Sequence, residues 1–241
     1  MNSGNPTLQP AAFKDLAAAP SGAQMTLTGT VAKSAILLML VIFGSTFSWG
    51  LATTPTGGIL TWGGMVAGLV VALVTIFKKT WAPITSPIYA LFQGLFLGGI
   101  SAMYNAQSEG IVLQAIMLTF GTLAGMLFLY QTGIIKVTDK FRTVVVSATV
   151  GILLFYVVSL VLNLFGVGVP LLHGTGMLSI GISLFIVGIA ALNLALDFDL
   201  IDNGIASGAP RYMEWYCAFG LMVTLIWLYL EILRLLAKLR R

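Results

Sequence analysis

Seven uninterrupted apolar runs, each close to the length that crosses a bilayer, leave this chain little choice of fold. They cover roughly Lys33–Leu51, Ile59–Phe77, Ile84–Tyr104, Gly110–Tyr130, Thr143–Phe165, Met177–Leu196 and Gly220–Leu239. A helix needs about 20 apolar residues to traverse the hydrocarbon core. Strands of a membrane barrel alternate apolar and polar residues instead, and these runs do not alternate. Only 8% of residues are charged, against 58% hydrophobic, where a soluble domain carries about 25% charge. The expectation is an all-α integral membrane protein, a bundle of seven transmembrane helices over residues 30–241. Residues 1–29 are rich in Gly, Pro, Ser, Asn and Gln and lack the basic start and apolar core of a cleavable signal peptide. They are expected to form a largely disordered cytoplasmic tail.

The loops carry an orientation signal. Lys78 and Lys79 lie between spans two and three, Lys136, Lys140 and Arg142 between four and five, and Arg211 between six and seven. The remaining loops carry neither Lys nor Arg. Basic loops stay cytoplasmic, so the tail and the even-numbered loops are expected inside. Seven spans then put the C-terminus outside, where Arg234, Lys238, Arg240 and Arg241 crowd together against the rule. Two readings follow: the last segment re-enters and stays inside, or a late basic cluster is tolerated.

The chain is poor in groups for covalent or metal chemistry. Cys217 is the single cysteine and His173, placed in a loop, the single histidine. No disulfide, cysteine-ligated metal, histidine-dependent triad or cofactor is expected, and no enzyme activity. Glycines recur at a spacing of four at Gly64 and Gly68, Gly94 and Gly98, and Gly121 and Gly125. Such pairs let helices approach closely in lipid, which predicts a tightly packed bundle.

Function is more legible in the acids. The chain has eight acidic residues, and three fall within "NLALDFDLID", Asn193–Asp202. Carboxylates displaced into a membrane are costly and mark functional sites. Asp197 and Asp199 close span six; being two apart, they face different ways. Asn193 precedes Asp197 by four and makes that face polar. Glu231 stands near the middle of span seven, with Arg234 one turn away as a structural partner. Two close carboxylates share a proton and titrate as a unit. When ionised they attract hard cations such as calcium. Asp197 and Glu231 can approach only if the chain bends, with Pro210–Gly220 lying at the interface and span seven starting near Leu221. If instead one unbroken helix follows Pro210, Glu214 rather than Glu231 lies opposite Asp197. Both arrangements stay open.

"LDFDLI" (196–201) followed by "LYLEILRLL" (228–236) resembles the paired acidic signature of the Bax inhibitor-1 family. "SPIYALFQGLFLGGIS" (86–101) and "YQTGIIKVTDKFR" (130–142) extend the resemblance, and "MTLTGTVAKSAILL" (25–38) is similar to the start of its bacterial branch. The resemblance implies seven helices with the last one central. It also implies a pH-sensitive calcium leak governed by Asp197 and Glu231, with Asp199 assisting, in the plasma (inner) membrane of a bacterium. Gln93 stands where members often carry an acid, and Glu231 where the second acid is commonly Asp.

Three functions follow. The first is a proton-gated leak for calcium or other cations, with Asn193, Glu214, Gln93 and Arg234 as contributors. In the second, the protein modulates a membrane-anchored ATP-dependent (AAA) protease that grips the N-terminal tail. The third, an intramembrane aspartyl peptidase, would need Asp197 and Glu231 to face each other across water. The lipid bilayer is a constant partner; nucleic acid is not one.

Overall fold

The computed structural model describes residues 24–166, 174 and 176–240. Among them it shows seven long helices: α1 (Leu27–Leu51), α2 (Pro55–Phe77), α3 (Ala82–Gln107), α4 (Ile111–Gln131), α5 (Asp139–Leu164), α6 (Met177–Ala206) and α7 (Met213–Leu239). Each is long and apolar enough to cross a membrane. The protein is a multi-pass, all-α membrane protein, as its apolar runs predict. His173 and the tail as far as residue 23 lie outside the described residues.

Local chemistry sets the helix ends. Thr26, Thr54 and Thr138 each accept a hydrogen bond from a backbone N–H of the first turn, satisfying donors that a helix start leaves open. Gly110, at φ +76°, sits in the left-handed region that glycine adopts without a Cβ clash and turns α3 into α4.

Helix α7 is central. It packs against α1, α3, α4 and α6, and 61% of its most apolar window is buried, against 50% or less for the other six helices. The expectation of a central last helix holds. Three boundaries move by more than four residues, and the first is the start of α1: Leu27 opens the helix six residues before the expected Lys33, and Met25 is buried, so residues 25–29 are ordered rather than part of a disordered tail. Helix α6 runs to Ala206, ten residues past the expected end of its span, and α7 starts at Met213 rather than Gly220. Polar residues continue both helices because they find partners inside the protein.

Glycines explain how α3 nests between α1 and α2. A Cβ on Gly94 would lie 2.5 Å from the Val41 carbonyl oxygen, and one on Gly64 would lie 2.7 Å from that of Phe92. These backbones touch because there is no side chain between them. The third pair differs: a Cβ on Gly121 or Gly125 meets nothing within 4 Å, so these two do not mediate packing within the chain. Gly94→Val is therefore expected to destabilise by about 1–3 kcal/mol through overpacking. Gly121→Ala should stabilise by about 0.5–1 kcal/mol through helix propensity. Thermal unfolding in detergent checks the sign of each.

Two faces can be assigned from contacts. The Met25 N–H donates to Ala209 O at 2.7 Å, and Lys79 Nζ stacks 6.0 Å from the Tyr216 ring centroid. Arg142 pairs with Asp199, and the Tyr130 hydroxyl donates to Asp202 at 2.8 Å. The start of α1 and the α2–α3, α4–α5 and α6–α7 loops therefore share one face. Arg240 donates to the Glu109 carbonyl at 2.9 Å, which places the end of α7 on the opposite face. The re-entrant reading of the C-terminus does not hold: α7 runs without a break, Arg240 lies on the opposite face, and Arg234 and Lys238 turn into the bundle.

Candidate functional site

Helices α6 and α7 run antiparallel, and each turns a polar stripe toward the other. On α6, Ser179, Ser183, Asn193 and Asp197 recur at helical spacing, and all four are buried. On α7 the stripe holds Cys217, Thr224, Glu231 and Lys238, also buried, with Arg234 beside Glu231. Helix α5 closes the seam with Thr149 and Tyr156.

Polar groups gather at two levels. Toward the C-terminal end, the Lys238 ammonium donates to Ser179 Oγ and Ser183 Oγ at 2.8 Å each and to Ser179 O at 3.2 Å. Below it, Arg234 donates to both Glu231 oxygens at 2.9 and 3.0 Å and to the Tyr156 hydroxyl at 2.7 Å. Tyr156 in turn donates to Glu231 Oε1 at 2.6 Å. Glu231 is only 2% exposed, so this closed triangle compensates a charge taken out of water. At the other level, Asn193 Nδ2 donates to Thr149 Oγ1 at 2.9 Å and to Ile189 O at 2.8 Å. Asp197, 1% exposed, follows one turn later.

Between the levels lies an apolar plug. Ile152, Ile186 and Ile189 form a buried cluster, with Trp227 packed on it. Ile152 falls between Thr149 and Tyr156, and Ile186 and Ile189 fall between Ser183 and Asn193. The plug thus occupies the roughly 10 Å that separates Thr149 from Tyr156 along α5.

The structure does not bring Asp197 and Glu231 together. Helix α7 passes through Gly220 without breaking, so the bend that would pair the two acids is absent. Asp197 lies one turn beyond Asn193, which bonds Thr149, while Glu231 bonds Tyr156; those two residues of α5 are seven apart, so about 10 Å or more along the bundle separates the acids. The alternative partner is not opposite Asp197 either. Glu214 turns to the start of α1, where it accepts from Thr26 N at 2.8 Å and Thr26 Oγ1 at 3.0 Å and forms an ion pair with Lys33. It latches the first helix to the last. Asp199 faces α5, pairs with Arg142 and accepts from Asn203 at 3.0 Å. Gln93 rests its amide against Gly68 of α2, away from the acids. Asn193 and Arg234 sit where the sequence placed them, the first on the Asp197 face and the second paired with Glu231. A facing-acid peptidase geometry is not formed by Asp197 and Glu231.

Sequence reasoning missed Tyr156, Thr149, Lys33 and the lysine nest. Only the nest left a trace: Ser179 and Ser183, at i and i+4, mark one small polar face at the start of α6.

A multi-pass bundle wrapped around one buried helix, with two buried carboxylates, a guanidinium and a buried ammonium on that helix, defines a membrane protein that carries ionisable groups inside the fold. The chain belongs to the Bax inhibitor 1 like family, whose model matches residues 5–241. Comparison with curated proteins found no match.

Proposed function

We propose that the protein is a pH-sensitive cation leak, with calcium a candidate permeant ion, and that its path runs along the seam of α5, α6 and α7. The observation that carries this reading is the division of that seam into two polar levels by an apolar plug. Buried carboxylates, here Glu231 and Asp197, mark ion paths within membranes. Hydrophobic constrictions close such paths by dewetting. In this reading the conformation is a closed one.

Each acid has a distinct task. Asp197 supplies negative charge on the side of the basic loops, where it draws a cation into the seam. Asn193 and Thr149 offer oxygens beyond it, and Asp199, near the mouth, shares its charge with Arg142. Glu231 is the switch. Loss of its charge would dissolve its ion pair with Arg234 and weaken the hydrogen bond it accepts from Tyr156, which loosens α5 from α7 beside the plug. The acids therefore act in series at different depths rather than as a touching pair. The basic loops on this face support a cytoplasmic position for it and for the N-terminus.

Purified protein in calcium-loaded vesicles tests the assignment. Glu231→Gln should flatten the dependence of flux on pH, since the switch can no longer change charge. Asp197→Asn should lower flux by roughly tenfold at every pH while keeping the profile, equivalent to ~1.4 kcal/mol of lost attraction. If both variants conduct like the parent, the seam is not the path.

A further inference from the structure

A second feature lies on the other side of α7. A cavity of about 550 Å³ opens between α1, α3, α4 and α7, walled by Val41, Trp49, Leu97, Ile116, Met222 and Leu225 among others. Every hydroxyl on its wall is already engaged. Ser45 and Thr46 donate to carbonyls of α1 at 2.9 Å each, and Thr119 donates to Ala115 O at 2.7 Å. Ser101 and Tyr229 hydrogen-bond each other at 2.7 Å. With its hydroxyls already engaged within the protein, the cavity offers an occupant an almost wholly apolar surface. It is chemically unlike the seam and suits neither ions nor sugars.

The mouth says what fills it. Ile42, Ile116, Phe120 and Trp49 flank it and are 39–50% exposed. They belong to helices that cross the membrane, so the phase at this mouth is hydrocarbon. Along α1 the cavity reaches from Leu38 to Trp49, about 16 Å at ~1.5 Å per residue. That is close to half of the ~30 Å hydrocarbon thickness. Trp49 sits near the end of α1, at the headgroup depth where tryptophan is enriched. The volume falls within the ~300–1,000 Å³ typical of small-molecule sites.

We propose that this cavity binds one acyl chain of a phospholipid from the leaflet adjoining the α1–α2 and α3–α4 loops. The chain enters sideways between α1 and α4, with its headgroup at Trp49 and its tail against Leu97 and Met222. The lipid thereby becomes part of the packing of the central helix. This site is independent of the ion path.

The test uses the full chain in phosphatidylethanolamine and phosphatidylglycerol vesicles doped with a phospholipid carrying a diazirine midway along one acyl chain. After illumination, adducts are mapped by peptide mass spectrometry. Adducts are expected on Leu97 and Met222, 6% and 2% exposed, as well as on outward residues such as Leu113. Thr119→Phe fills the cavity and should reduce the buried adducts by roughly tenfold, equivalent to ~1.4 kcal/mol of affinity, while Leu113 labels as before. Ile116→Trp, which narrows only the mouth, provides the same readout should Thr119→Phe fail to fold. A parallel arm uses a diazirine fatty acid. Adducts confined to outward faces, buried adducts indifferent to both substitutions, or cavity labelling by the free fatty acid alone would each overturn the proposal.

Discussion

Arg234→Met is expected to destabilise the protein by about 3–5 kcal/mol, the usual effect of removing one partner of a buried ion pair. Glu231 would then keep a single donor, the Tyr156 hydroxyl, at a site only 2% exposed. Methionine preserves most of the apolar stem that Arg234 packs along the bundle, so the loss reports charge rather than volume. The double variant Arg234→Met, Glu231→Met should regain most of the stability, because the lone carboxylate and its desolvation cost disappear together. Unfolding midpoints in detergent of the two single variants and the double variant form a complete cycle. Additive losses would show that Arg234 and Glu231 do not act as a pair.

The same residues show what a sequence can disclose about a site. Glu231 with Arg234 was legible because both lie on one helix, three residues apart, and helical spacing makes them neighbours. Asn193 and Asp197 were legible for the same reason. Tyr156 was not. A tyrosine in an apolar span has no local mark to show that it completes an ion pair 75 residues away. The Glu214 latch is still more remote, 188 residues from Thr26, and no periodicity could point to it.

Helix number followed directly from run length and from the scarcity of charge, whereas the central place of the last helix came only from the family resemblance. The ends of α6 and α7 did not follow, because hydropathy falls where Asp197, Asp199 and Glu214 begin, whereas the backbone stays helical. In lipid, backbone groups must be satisfied within the segment, and the polar side chains are met by Arg142, Lys33 and neighbouring helices. The conformational freedom of Gly220 suggests a break there. Gly220 instead lies buried inside a continuous helix, where its small size suits the central position of α7. This continuity keeps Asp197 and Glu231 at different depths.

The proposed ion path depends on the plug that Ile152, Ile186 and Ile189 form between the two polar levels. Its most direct test is ion flux through Ile186→Ser in vesicles at neutral pH, recorded with a calcium-sensitive dye. A serine there should wet the constriction and raise flux by about tenfold or more, equivalent to ~1.4 kcal/mol off the barrier. Ile186→Leu should conduct like the parent. A folded Ile186→Ser protein whose vesicles leak no faster than those of the parent would contradict the assignment of the seam as the ion path.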